Sequence, residues 1–147
     1  MSETRLPETK EFQCVLARAR KEARRLRDGW VEERHLLLGL ILNDRNTGAQ
    51  ALMAQIELSV IRFAIELRFG FGEWRTDDEV EMSPMARHVL ARARDEARIL
   101  GHKMVNPGHL LLALLHDQSG MLRDLLDLLG VDLRKVRAPL MKRQRRR

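Results

Sequence analysis

A chain of 147 residues suits one compact domain or two small fused units, and 44% hydrophobic content supports a real core. Only 4% of residues are aromatic, with no Tyr, so Leu, Ala and Met must fill that core. The net charge of +6 belongs to one end: residues 134–147 hold eight Lys/Arg and no acid, leaving 19 positive against 21 negative charges in residues 1–133, which argues against a basic nucleic-acid-binding body.

No apolar run approaches the ~20 residues needed to cross a bilayer, so no membrane association is expected. The opening MSETRLPETKEF has no apolar signal core, and the single Cys14 has no internal disulfide partner. A reducing, cytoplasmic setting is the expectation.

The leader, residues 1–8, reads as loose. Thr9 caps a first helix running to about Arg27, with Phe12, Leu16, Ala19, Ala23 and Leu26 as its apolar stripe. Arg18, Lys21, Arg24 and Arg25 fall mainly off that stripe, and Glu22 can pair with nearby arginines. Asp28-Gly29 ends the helix, with Gly29 expected in the left-handed conformation. A second helix from about Glu32 to Leu42 is apolar on nearly every face and so should be buried. A third, from about Thr47 to Ile56, turns Ala51, Leu52 and Ile56 inward. Ser59 then caps a fourth helix with Val60, Phe63, Ala64 and Leu67 as its stripe. Residues 70–83 break the periodicity and read as a linker, with Phe71 and Trp74 tucked against the body. Ser83-Pro84 opens a fifth helix that ends at Gly101, and Asn106-Pro107 opens a sixth. Gly120 precedes the seventh, and Gly130-Val131-Asp132 leads into an eighth that runs into the basic tail.

Two blocks occur twice. VLARARKEARRL (residues 15–26) returns as VLARARDEARIL (residues 89–100), differing only at Lys21/Asp95 and Arg25/Ile99. His35-Leu36-Leu37-Leu38-Gly39-Leu40 returns as His109-Leu110-Leu111-Leu112-Ala113-Leu114 at the same spacing. The chain therefore reads as all-α: an eight-helix bundle of two four-helix repeats related by a pseudo-twofold axis. The expected units are residues 9–69 and 84–142, joined by the 70–83 linker and followed by the 143–147 tail, in one monomeric domain.

These motifs resemble the N-terminal repeat domain of the Clp/Hsp100 unfoldases. The family pattern is a helix rich in A-x-x-E-A-R-x-L, a short loop, (T/P)-E-H-L-L-L-(G/A)-L-L, then G-x-x-x-x-x-L-x-x-L-G-V-D-L. Residues 86–136 follow it closely, through Gly120, Leu126, Leu129 and Gly130-Val131-Asp132-Leu133; residues 12–67 follow it more loosely. The resemblance implies two Clp repeats and a non-enzymatic module that docks adaptors or substrates for a Clp-type AAA+ ATPase. As a stand-alone protein it would act as adaptor, regulator or decoy. No G-x-x-x-x-G-K-[ST] phosphate loop occurs in the sequence, so the chain reads as the docking module without the motor.

His35 and His109 each open an apolar helix with no His or Cys at ligand spacing, so they read as helix-start histidines rather than metal or catalytic groups. No catalytic, cofactor-binding or metal-binding residues are assigned. The resemblance also implies two symmetric phosphoarginine pockets. In each, a Thr or Ser at the first helix start holds the phosphate, and a Glu before the His holds the guanidinium. Thr9 and Ser83 keep the hydroxyls, or serve simply as caps, but Arg34 and Gly108 stand where the glutamates would be, and Glu33 lies about 100° away around the helix. Candidate protein-binding residues are therefore Thr9, Arg34, Ser83, Arg87 and Gly108, with phosphoarginine bound poorly. Lys142, Arg143, Arg145, Arg146 and Arg147 are candidate polyanion contacts, and nucleic acid is the alternative partner, through this tail only.

Overall fold

A computed structural model describes residues 5–43, 45–74, 80–116 and 120–142. Eight helices are found among them: α1 Lys10–Arg25, α2 Glu33–Ile41, α3 Thr47–Met53, α4 Leu58–Phe69, α5 Pro84–Ile99, α6 Pro107–His116, α7 Met121–Leu128 and α8 Leu133–Leu140. None is long and apolar enough to cross a membrane.

Residues of the two repeats correspond at a constant offset, so that Thr9 matches Ser83, Val31 matches Val105, Gly39 matches Ala113, and α1–α4 match α5–α8. The caps follow the same plan. Thr9 Oγ1 accepts the Phe12 amide at 3.1 Å, and Ser83 Oγ accepts the Ala86 amide at 3.0 Å. Each satisfies one amide that the first helical turn leaves unpaired.

α2 and α6 form the centre. Every residue of α6 from Pro107 to Leu115 is buried, as is α2 from His35 to Ile41. Each packs along the long helix of its own repeat, α2 on α1 and α6 on α5, and they also touch each other across the pseudo-axis. Small residues set the spacing. A β-carbon at Gly39 would lie 2.5 Å from the Val15 carbonyl oxygen, so α1 and α2 meet backbone to backbone.

The repeats are interlocked by exchanged segments. The Thr9 amide donates to the Val105 carbonyl at 3.0 Å, and the Val105 amide to the Pro7 carbonyl at 2.9 Å. The mates do the same: Ser83 amide to Val31 carbonyl at 3.0 Å, and Val31 amide to Glu81 carbonyl at 2.9 Å. Each repeat's entry segment thus pairs with the other repeat's loop in an isolated parallel bridge. Gln55 adds a two-way link, accepting from the Asp132 amide at 2.6 Å and donating to its carbonyl at 2.8 Å.

Three expectations fail. α4 is capped at Glu57, not Ser59, and its buried residues are Ile61 and Ile65. Val60, Phe63 and Leu67 face outward, Leu67 at 75% exposure, and Ala64 is half-buried. α4 is apolar on two sides, so its phase was decided by packing on α2 and by Arg25, which joins Glu66 on α4 to the buried Glu22 on α1. Phe71 and Trp74 are exposed rather than tucked in, although the Trp74 amide reaches the Arg27 carbonyl. The left-handed residue after α1 is Arg27 (φ 59°), not Gly29; in the second repeat it is Gly101, as expected. Within the 70–83 stretch read as a linker, Val80 and Met82 are buried. The acidic run at residues 77–79 lies outside the described residues.

Candidate functional site

The two helix-start histidines do what their position suggests, and more. The Glu32 amide donates to His35 Nδ1 at 2.8 Å, and the Asn106 amide donates to His109 Nδ1 at 2.9 Å. Each neutral ring must then carry its proton on Nε2. His35 Nε2–H donates to Asp28 Oδ2 at 2.7 Å. In the second repeat the residue matching Asp28 is His102. There His109 Nε2–H donates to His102 Nδ1 at 2.6 Å, and His102 Nε2–H donates to the Lys142 carbonyl at 2.9 Å. The relay ties the starts of α6 and the α5–α6 loop to the end of α8. His109 therefore has a histidine partner, which sequence spacing concealed and a comparison of Asp28 with His102 reveals. Burial, with His102 beside it, pushes His109 down to about 4. Burial also lowers His35, outweighing the Asp28 carboxylate. Among the described residues no group of three or more His, Cys, Asp or Glu is placed to hold a metal.

The exchanged segments decide which candidate residues meet. Ser83 is bonded to Val31, so the start of α5 lies beside the start of α2. Met85 and Arg34 line one cavity of about 170 Å³, with Glu32, Glu33, Phe69 and Met121. Thr9 is bonded to Val105, which brings the start of α1 toward Gly108. Gly108 lines a second cavity of about 290 Å³, with His102, His109, Asn106, Thr47 and Lys142. Glu32 and Asn106, Arg34 and Gly108, and Met121 and Thr47 are repeat mates, so these are pseudo-equivalent sites whose chemistry has diverged.

Arg34 is central to the first. Its guanidinium lies over the Phe69 ring, 4.7 Å from the centroid, and Nη2 is 3.4 Å from Asp28 Oδ2. Its Nε is buried without a hydrogen-bond partner. Glu33 lines the same cavity despite its rotation around the helix. A further cavity of about 250 Å³, bounded by Arg68, Leu125 and Leu128, shares Phe69 and Met121 with the first, so the two join into one groove between α4 and α7. Leu128 on its edge is 85% exposed. The second site differs at its root. A β-carbon on Gly108 would meet Asn106 Oδ1 at 2.9 Å, and Leu140 Cδ2 and Thr47 Oγ1 at 3.0 Å each. A side chain at that position would have to displace these three side-chain ends.

Of the other candidates, Thr9 and Ser83 spend their hydroxyls on capping, Arg87 is exposed on the first turn of α5, and Lys142 is exposed with its carbonyl held by His102. Arg143, Arg145, Arg146 and Arg147 lie outside the described residues.

Comparison with known proteins places this geometry. The profile of the family described as Clp repeat (R) N-terminal domain matches residues 81–146. The chain is 35% identical over 134 residues to a chaperone protein ClpB from Oceanobacillus iheyensis, covering 90% of this chain and 16% of that one. It is 34% identical over 134 residues to the negative regulator of genetic competence ClpC/MecB of Bacillus subtilis, with the same coverages. The chain thus spans about a sixth of the length of these relatives. In fold it resembles the N-terminal domain of the ClpD chaperone of Arabidopsis thaliana, with TM-score 0.76 and 22% identity over 95% of this chain and 96% of that one. The Hsp104 N-terminal domain of Candida albicans gives TM-score 0.76 at 19% identity, covering 92% and 89%.

Proposed function

The chain belongs to the Clp repeat N-terminal domain family, and from that premise we propose that it is a non-enzymatic protein-docking module of a Clp-type chaperone or protease system. Its partners are adaptors, substrates or a Clp ATPase, which it docks or regulates. The observation that carries this reading is the groove between α4 and α7, reaching the start of α2. It is lined by Phe69, Met121, Leu125 and Leu128, and its edge is apolar and exposed where a soluble domain with no partner would be polar. Methionines at such an edge suit ligands of varied shape, because their unbranched chains repack.

The test is photo-crosslinking in native extract from a reactive amino acid placed at position 121, with position 14 on the exposed face of α1 as control. The expected products from position 121 are Clp ATPases, their adaptors or their substrates, absent from position 14. Identical products from both positions would remove the groove as the docking site.

A further inference from the structure

Arg34 is more than a missing carboxylate. A guanidinium has five N–H donors and cannot shed its charge, so burying it calls for acceptors. Here the side chain is 22% exposed, and the carboxylate oxygen beside it, Asp28 Oδ2 at 3.4 Å, already takes a 2.7 Å bond from His35. Nε is sealed from solvent with no partner, although nearly all buried donors in folded proteins have one. Phe69 lies against the guanidinium, its ring centroid 4.7 Å from Cζ, and adds a cation–π contact on one side. Met85 and Met121, at 43% and 49% exposure, form a movable apolar wall over the same cavity.

We propose that this cavity receives an acidic peptide residue flanked by an apolar one, with the peptide carboxylate held by Arg34 and the apolar side chain seated among Met85, Met121 and Phe69. This rests on the docking reading above and names its ligand chemistry. Glu32 and Glu33 line the same cavity, so selection of a carboxylate rests on direct contact with the Arg34 guanidinium and not on the net charge of the lining. A planar carboxylate matches the fork of one guanidinium. The pseudo-equivalent cavity has Gly108 in place of Arg34 and does not share this preference, so the domain takes one such ligand, not two.

The experiment is an NMR titration of the full chain, observing methionine methyls and arginine Nε–H groups. The probes are three blocked tetrapeptides, Ac-Ser-Leu-Glu-Ser-NH2 and its Gln and Lys counterparts. The Glu peptide is expected to shift the Met85 and Met121 methyls and Arg34 Nε–H, and to bind about tenfold or more tighter than the Gln peptide. The Lys peptide should bind weakest. Arg34→Gln should equalise Glu and Gln, while Arg34→Lys, with charge but no planar fork, should retain part of the difference. The wild-type ranking stands even if a variant folds poorly. Equal binding of all three peptides would overturn the role of Arg34 and leave apolar docking intact. Tightest binding by the Lys peptide would overturn it in favour of Glu32 and Glu33. Methyls unmoved by any peptide would remove both this proposal and the groove.

Discussion

Gly39→Ala puts the packing of the first repeat to a quantitative test, because local and tertiary effects have opposite signs. Alanine in the middle of a helix is favoured over glycine by about 1 kcal/mol, so helix propensity alone predicts stabilisation. In the structure the new β-carbon would sit 2.5 Å from the Val15 carbonyl oxygen and 2.9 Å from the Ala19 amide nitrogen. Both are main-chain atoms of α1 and cannot rotate away. Restoring ordinary contact requires α1 and α2 to part by roughly 1 Å, which loosens Phe12, Val15, Leu36 and Leu40 together. Overpacking of this kind costs about 1–3 kcal/mol, and a backbone clash belongs at the upper end. After the gain in propensity the net loss is about 2 kcal/mol, a fall in Tm of about 4–8 °C for a chain of this length. Urea and thermal melts followed by circular dichroism measure it. The mate supplies the control: Ala113 is buried at 3% exposure, so Ala113→Gly should also destabilise, by about 1 kcal/mol or more. A Gly39→Ala protein as stable as the parent, or more so, would refute the close approach.

Leu37 and Leu111 are 1% and 0% exposed, so Leu37→Ala and Leu111→Ala should each lose about 2–5 kcal/mol in urea melts. Stability should also fall as pH drops below about 6.5, because the unfolded chain protonates its histidines there while the folded chain keeps His35 and His109 neutral. Each contributes a slope of up to about 1.4 kcal/mol per pH unit, and the His109 share levels off only near about 4. Comparing urea midpoints at pH 7.5 and 5.5 stays above the range where carboxylates titrate, and equal values would show that the imidazoles are not buried neutral. Calorimetric titration with free phosphoarginine should show no micromolar binding, since removing a charge-paired partner costs about 2–5 kcal/mol. Arg34→Glu restores one carboxylate at a half-buried position, whereas Gly108→Glu should weaken the start of α6, because its β-carbon would push aside Asn106 Oδ1, which accepts the Gly108 and His109 amides.

The long helices, the duplicated blocks and the helix-start role of His35 and His109 were legible because each leaves a periodic or positional trace. The phase of α4 was not. Val60, Phe63 and Leu67 make as good a stripe as Ile61 and Ile65, and the choice came from a distant contact, Glu66 with Arg25 on α1. His102 was missed for a similar reason: it lies seven residues before His109, across a turn with no helical period. That Glu33 lines the cavity beside Arg34 was not legible, because helix rotation alone cannot say how wide a cavity is.

The exchanged entry segments bear on how the protein is made. The Pro7 carbonyl and Thr9 amide are satisfied by Val105, far later in the sequence. The start of α1 therefore waits, unpaired at its N-terminal edge, until the second repeat has been synthesised through Val105. Val31 meets Met82 much earlier, so the nascent chain can close one bridge before the other exists. An isolated second repeat, carrying both Met82 and Val105, has the complementary halves of the same exchange. Two copies of it could pair head to head, which is the form a single-repeat ancestor would have taken before its two subunits were joined into one chain.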